Sequence, residues 1–328
     1  MSVVDTAEGN EALLRVRIVR ADDVANDIIL LELLPEQGQS LPLFFAGSHV
    51  DVHLPNGLIR QYSLCNSDVE RHRYCIAVAK AKSSRGGSSY IHAQIKKGQC
   101  IEISKPRNIF PLLDADAYRF IAGGIGITPI LSMLYACENA GKRWKLLYCA
   151  RNRASMAFLP EIIQFTHGQV FVHLDEESNG DNADFASFLE NIEEKEHVYC
   201  CGPGGLMQAV NGTASDHTRS RFHFEQFSVP QDIESAKFES EGFEVVLRRS
   251  ARRIWVGPNQ SVLEALELEG ISVPFSCRDG LCGTCQTKVI CGEVDHRDYV
   301  LSHDEKAKNE SIMICVSRSK SGCLELDL

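Results

Sequence analysis

The sequence predicts a multidomain protein of three folding units in series: a small antiparallel β-barrel, an α/β domain around a parallel sheet, and a C-terminal β-grasp domain. Three observations predict them. Up to residue 112 the apolar residues fall in short β-rich runs broken by turns such as Pro55-Asn56-Gly57, the texture of a small barrel. Over residues 113–228 strand and helix patterns alternate, which builds a parallel sheet. Residues 229–240 are polar, contain Pro230 and show no hydrophobic period, so they read as a linker. Residues 241–328 then carry Cys277, Cys282 and Cys285 in a C-x4-C-x2-C run, with Cys315 further on.

Strands are expected at 12–19, 28–34, 49–54, 61–65, 73–78 and 100–104, with a short helix at 88–95. In the second unit a buried strand at 118–122 runs into Gly123-Gly124-Ile125-Gly126-Ile127-Thr128-Pro129 and a helix follows to about 139. Further strands are expected at 145–149, 170–173 and 197–201. The third unit reads as strands at 243–248 and 254–256, a helix at 262–268, the cysteine loop, and strands at 286–291 and 312–316.

The cysteine spacing is the plant-type ferredoxin pattern for a 2Fe–2S cluster, in which one loop supplies three thiolates and a distant element the fourth. The metal ligands are therefore expected to be Cys277, Cys282, Cys285 and Cys315. A zinc site is the alternative, but such sites pair two C-x2-C knuckles and only one is present. Cys65, Cys75, Cys100, Cys137 and Cys149 lie in apolar patterns and read as small core residues. Cys291 and Cys323 are not needed to complete four ligands.

Composition narrows the class. The chain has 328 residues, a formal net charge of −10 and 13 cysteines. An odd cysteine count without an apolar leader or a membrane-spanning run fits a cytoplasmic chain whose thiols stay reduced. The acidic balance argues against nucleic acid, which wants an excess of Lys and Arg.

Arg60-Gln61-Tyr62-Ser63-Leu64 ends a barrel strand. Arg, Tyr and Ser so close together can give a flavin its phosphate cation, an aromatic face and a hydrogen-bond donor. An ordinary barrel strand is the alternative. Ser84-Arg85-Gly86-Gly87-Ser88-Ser89 precedes the short helix, where free amides and the helix dipole favour a phosphate; a Gly/Ser turn is the other reading. The glycine run at 123–126 and Cys201-Gly202-Pro203 both follow strands of the parallel sheet, at the carboxyl ends where nucleotides bind. Asp175 and Glu176 end another strand. A carboxylate there accepts from a ribose hydroxyl and repels a 2′-phosphate, which favours NADH over NADPH. A solvated acidic loop is the alternative.

Taken in order, these motifs, together with Tyr199-Cys200-Cys201-Gly202-Pro203 and His223-Phe224-Glu225-Gln226-Phe227, resemble the phthalate dioxygenase reductase family over nearly the whole chain. The resemblance implies FMN, a 2Fe–2S cluster and NADH as cofactors. It implies that Arg60, Gln61, Tyr62 and Ser63 hold the flavin ring with Ile76, Ala77 and Val78, and that Ser84, Arg85, Gly86, Gly87 and Ser88 bind its phosphate. Phe227 would stack near the ring. Gly124, Gly126 and Cys201 would line the NADH channel, with Cys201 close to the nicotinamide; Thr128 would approach the flavin, and Cys201 and Thr128 would be the catalytic residues. A C-terminal ferredoxin domain resembles the reductases that pass electrons to a Rieske-type oxygenase component acting on phthalate, vanillate, other aromatic acids or carnitine. The runner-up is an FAD-dependent NADH reductase of another pathway, such as one serving a hybrid-cluster protein. A ferredoxin-like carrier with mere docking modules is the non-enzymatic alternative.

Overall fold

The computed structural model describes residues 13–38, 40–81, 86–178, 181–215, 217–227 and 241–328. The expected linker at 229–240 and the candidate phosphate residues Ser84 and Arg85 lie outside the described residues. The chain forms two compact units, one spanning Leu13–Phe227 and the other containing Ser228–Leu328.

The first unit opens with β1 (Leu14–Ala25), β2 (Ile28–Pro35), β3 (His49–His53), β4 (Ile59–Ser63), β5 (Tyr74–Ala79), α1 (Gly87–Gln94) and β6 (Cys100–Ile103). The six strands make one sheet in the order β4-β3-β6-β1-β2-β5, antiparallel throughout. A bridge between Leu64 and Ile76 joins its two ends into a barrel. Alternate side chains fill the interior: Val16 and Ile18, Leu31 and Leu33, Val50 and Val52, Ile76 and Val78. Ile91 and Ile95, on α1 and just after it, join the same core. β1 runs six residues past its expected end at 19, because Arg20, Asp22 and Asp23 sit on the outer face of a hairpin that turns at Asp27 (φ 58°).

The unit continues with β7 (Ala117–Gly123), α2 (Ile127–Ala140), β8 (Arg143–Ala150), α3 (Leu159–Ile162), β9 (Gly168–Leu174), α4 (Phe185–Phe188), β10 (Glu196–Cys201), α5 (Gly204–Thr213) and β11 (Phe222–Glu225). All five strands are parallel, in the order β11-β10-β7-β8-β9. β7 is buried along its whole length, as a central strand covered on both faces must be. One face packs Phe120, Tyr199 and Cys201 with α2 and with Cys75 and Ala77 from the outside of the barrel. The other packs Ile121, Val198 and Cys200 with Met207 and Val210 of α5.

The second unit holds β12 (Phe243–Leu247), β13 (Arg252–Val256), α6 (Val262–Leu268), β14 (Gln286–Cys291), β15 (Val294–Asp295), α7 (His303–Lys308), β16 (Ser311–Met313), β17 (Arg318–Ser319) and β18 (Cys323–Leu326). Its main sheet runs β13-β12-β18-β14-β16, and β15 pairs with β17. β12 and β18 are parallel while the other neighbours are antiparallel, a β-grasp arrangement closed over α6. Ser261 and Glu264 form a reciprocal capping box that starts α6. Its Val262, Leu263, Ala265 and Leu266 enter the core beside Phe243, Leu247, Ile312 and Leu326. Contrary to the expected strand at 312–316, β16 ends at Met313. The amides of Val316 and Ser317 turn back onto the Met313 carbonyl, and Cys315 is carried by that turn.

Candidate active site and iron–sulfur centre

Cys277, Cys282 and Cys285 lie on a loop that takes left-handed backbone at Arg278 (φ 60°), Gly280 (φ 70°) and Gly283 (φ 72°). Glycine adopts this region freely, whereas arginine does not. Arg278 is held there by an ion pair of 2.6 Å to Glu267 and by lying 4.2 Å over the Phe275 ring. The sulfurs are in mutual contact. Cys285 and Cys315 are 3.2 Å apart, and Cys277 accepts from the thiols of both Cys282 and Cys315. The amides of Asp279 and Leu281 also point at the Cys277 sulfur, at 3.3 and 3.4 Å. Hydrogen bonds from the Cys282 and Cys315 thiols, and then from the two amides, push the Cys277 thiol far down. Four sulfurs drawn together, one of them ringed by amide donors, form a donor set that fits a 2Fe–2S cluster. Cys291 and Cys323 are exposed on strands and take no part in these contacts.

The barrel and the sheet supply the second site. The Arg60 side chain crosses the start of α1, where a Cβ at Gly87 would fall 2.6 Å from its Cγ and Nε. Gly86 is the left-handed N-cap of that helix (φ 90°), and the Ser88 hydroxyl oxygen accepts from the Ala81 amide at 3.2 Å. Tyr62 is half-buried against the barrel core, and burial pushes its phenol up against the opposing pull of Arg60. Gln61 has a buried Nε2 with no hydrogen-bond partner among the described residues. A flavin edge would satisfy such a donor, so the residues present fit that group. Of the three residues expected on the next strand, Ile76 and Val78 turn their side chains into the barrel interior. Ala77 alone faces the parallel-sheet half.

Two loops meet at the carboxyl ends of β7 and β10. A Cβ on Gly126 would stand 2.2 Å from the Cys201 carbonyl oxygen, so only glycine lets the loops close. Gly124 (φ 53°) faces open space. Cys201 is fully buried, and desolvation and then Glu225 push its thiol well up. Thr128 is buried and its hydroxyl donates to the Ile125 carbonyl at 3.0 Å, which fastens the glycine loop. Phe227 is 40% exposed, just before the undescribed segment. Asp175 follows β9 with its side chain exposed, 3.5 Å from His173 Nε2. Glu176 accepts from Asn152 Nδ2 at 3.0 Å.

Sequence reasoning gave Glu225 no role. It ends β11 directly opposite Cys201, is 8% exposed, and has an Oε2 without a partner among the described residues. Burial lifts its carboxyl to about 8, opposed by a hydrogen bond with Ser63. The available signal was a carboxylate placed between the aromatic residues Phe224 and Phe227.

Two domain families match the chain: a 2Fe-2S iron-sulfur cluster binding domain over residues 245–320 and an oxidoreductase NAD-binding domain over residues 120–212. The chain is 43% identical to tetrachlorobenzoquinone reductase of Sphingobium chlorophenolicum, covering 93% of this chain and 95% of that protein. It is 42% identical to a vanillate O-demethylase oxidoreductase of a Pseudomonas species, covering 93% and 96%. A solved phthalate dioxygenase reductase, described as a modular structure for electron transfer from pyridine nucleotides to a 2Fe–2S centre, superposes with a TM-score of 0.71. It is 39% identical and the match covers 96% of this chain and 98% of that one. The chain belongs to the phthalate dioxygenase reductase family. As a member it is an electron-transferring oxidoreductase that uses NADH, FMN and a 2Fe–2S cluster. Among the described residues no helix is long and apolar enough to cross a membrane.

Proposed function

We propose that this reductase works in the cytoplasm and serves a Rieske-type oxygenase acting on an aromatic acid such as phthalate or vanillate, or on carnitine. The order of parts carries the reading: barrel, nucleotide sheet and C-terminal ferredoxin unit in a chain that matches a vanillate O-demethylase oxidoreductase over 96% of its length. The bound groups supply the conversion of a two-electron hydride donor into single electrons.

The chain's own residues bind and orient. Arg60 and, from the sequence, Arg85 would neutralise the FMN phosphate at the start of α1, with Ser84, Gly86, Gly87 and Ser88 supplying hydrogen bonds and room. Tyr62 and Phe227 would offer aromatic faces to the ring, Gln61 and Ser63 polar contacts, and Ala77 a small wall. Gly124, Gly126 and Cys201 would form the nicotinamide channel, with Thr128 fixing the glycine loop. The buried Cys201 thiol stays neutral, so it brings no charge to the channel. Cys277, Cys282, Cys285 and Cys315 would hold the cluster.

The test supplies the holoprotein and NADH to purified vanillate O-demethylase oxygenase or phthalate dioxygenase and follows the aromatic product. Turnover that needs both NADH and this chain is the expected result. The resemblance to tetrachlorobenzoquinone reductase supports a second reading. Rapid reduction of that quinone, with no oxygenase supported, would put the second reading first.

NADH is expected to exceed NADPH in kcat/KM by at least about tenfold, or ~1.4 kcal/mol. Asp175 repels a 2′-phosphate and accepts from a free hydroxyl. Steady-state cytochrome c reduction over matched nucleotide concentrations checks this, and NADPH matching NADH would sink it. If Asp175→Ala keeps the full preference, the donor stands and the residue assignment falls.

A further inference from the structure

The ferredoxin unit contains a buried aspartate that packs against the cysteine loop through its Cα and Cβ without belonging to the loop's donor set. Asp298, between β15 and α7, is 3% exposed. Its Oδ1 accepts from the amides of Val300 and Leu301 at 3.1 and 2.8 Å. The Ser317 hydroxyl lies 3.5 Å from Oδ2. Two basic groups face the carboxylate: His296 Nδ1 at 3.5 Å and Lys306 Nζ at 3.8 Å. Among the other charged groups nearby, Arg297 pairs with Asp295 at 2.6 Å, Lys320 with Glu293 at 3.5 Å, and Glu305 accepts from the Ser302 amide at 2.8 Å.

The same residue is wedged against the loop. A Cβ on Gly280 would fall 3.2 Å from Asp298 Cα and 2.6 Å from Val316 Cγ2. The Tyr299 amide donates to the Gly280 carbonyl at 3.0 Å. Asp298 and Tyr299 therefore lock the middle of the segment from Cys277 to Cys285, while Ser317 ties Asp298 to the turn that carries Cys315.

We propose that Asp298 is a positioning residue that fixes the cysteine loop and whose buried charge lowers the reduction potential of the cluster. The proposal rests on reading Cys277, Cys282, Cys285 and Cys315 as the ligands. Reduction adds a negative charge to a centre whose loop and fourth-ligand turn are both tied to this carboxylate residue, and like charges in a weakly polar interior interact strongly; net charge around a cluster is one of the factors that set its potential. The compensation is partial. Lys306 is 30% exposed and screened by water, and burial pushes His296 down, which keeps its ring neutral.

Asp298→Asn keeps the shape and the acceptor for Val300 and Leu301 but removes the charge. The holoprotein variant is assayed for its cluster by visible absorption and by electron paramagnetic resonance after dithionite reduction, then titrated with redox dyes at fixed pH. The expected result is a retained cluster that is ~3- to 10-fold easier to reduce, or about 30–60 mV at 59 mV per tenfold. An unchanged or lower potential with the cluster in place overturns the proposal. If the variant loses its cluster, Lys306→Met decides: it strips the countercharge and leaves the carboxylate. A lowered potential then supports the proposal, and an unchanged or raised one overturns it. Cys282→Ser, run alongside, tests the ligand reading separately, because only failure of that reading leaves its cluster intact.

Discussion

A Cys282→Ser variant is expected to lack the 2Fe–2S absorption and to lose more than ~100-fold of its NADH–cytochrome c activity, since losing a mere outer partner already costs about 10–100-fold. Cys282 is 2% exposed and its thiol donates to Cys277, so it belongs to the linked set of four sulfurs. Serine keeps the size but offers a hard, poorly ionised oxygen where a soft thiolate is required. NADH–ferricyanide activity should remain within about twofold, because additivity holds for distant, independent sites. The barrel and nucleotide sheet form their own compact unit, with a core that shares no residue with the ferredoxin core. Cys291→Ser and Cys323→Ser should keep the cluster, as both side chains are exposed outside the sulfur contacts. Loss of the cluster in Cys291→Ser with retention in Cys315→Ser would show that the fourth ligand is misassigned.

What the sequence disclosed follows from how local each signal is. The bounds of α6 matched because Ser261 and Glu264 mark the start within four residues and the apolar period marks the buried face. The cysteine loop was legible because ligand spacing on one segment is a sequence property. Cys315 was found as a ligand candidate but assigned to a strand, since the apolar residues around it are buried by a turn as readily as by a sheet. β11 and β18 went unseen for the opposite reason. Each has four residues and exists through pairing with a distant strand, β11 with β10 and β18 with β12 and β14. The side-chain direction of Ile76 and Val78 was not legible in the sequence. Strand alternation sends both inward, a fact fixed by which face of β5 meets the barrel core. Glu225 combined both difficulties, a short strand and a role visible only across the sheet from Cys201.

The second large effect belongs to that residue. Glu225→Gln should remove a fall in stability that the wild type shows between about pH 4.5 and 8. Burial lifts the folded carboxyl to about 8 from an ordinary value of 4.5. Below pH 4.5 both folded and unfolded chains carry the proton, and the residue adds no slope. Between the two values the folded chain keeps a proton that the unfolded chain has released, so each rise in pH favours unfolding, by up to ~1.4 kcal/mol per pH unit. Above 8 both forms are ionised and the slope ends, leaving a buried charge whose Oε2 has no partner among the described residues. Glutamine keeps an acceptor for Ser63 and cannot ionise, so its urea midpoint should gain on the wild type steadily from pH 5 to pH 8. Parallel midpoints across that range would sink the assignment. The same neutral carboxyl faces Cys201 across β10 and β11, so NADH oxidation by the wild type should change around pH 8 and that inflection should vanish in Glu225→Gln. An inflection that survives the substitution must come from another group.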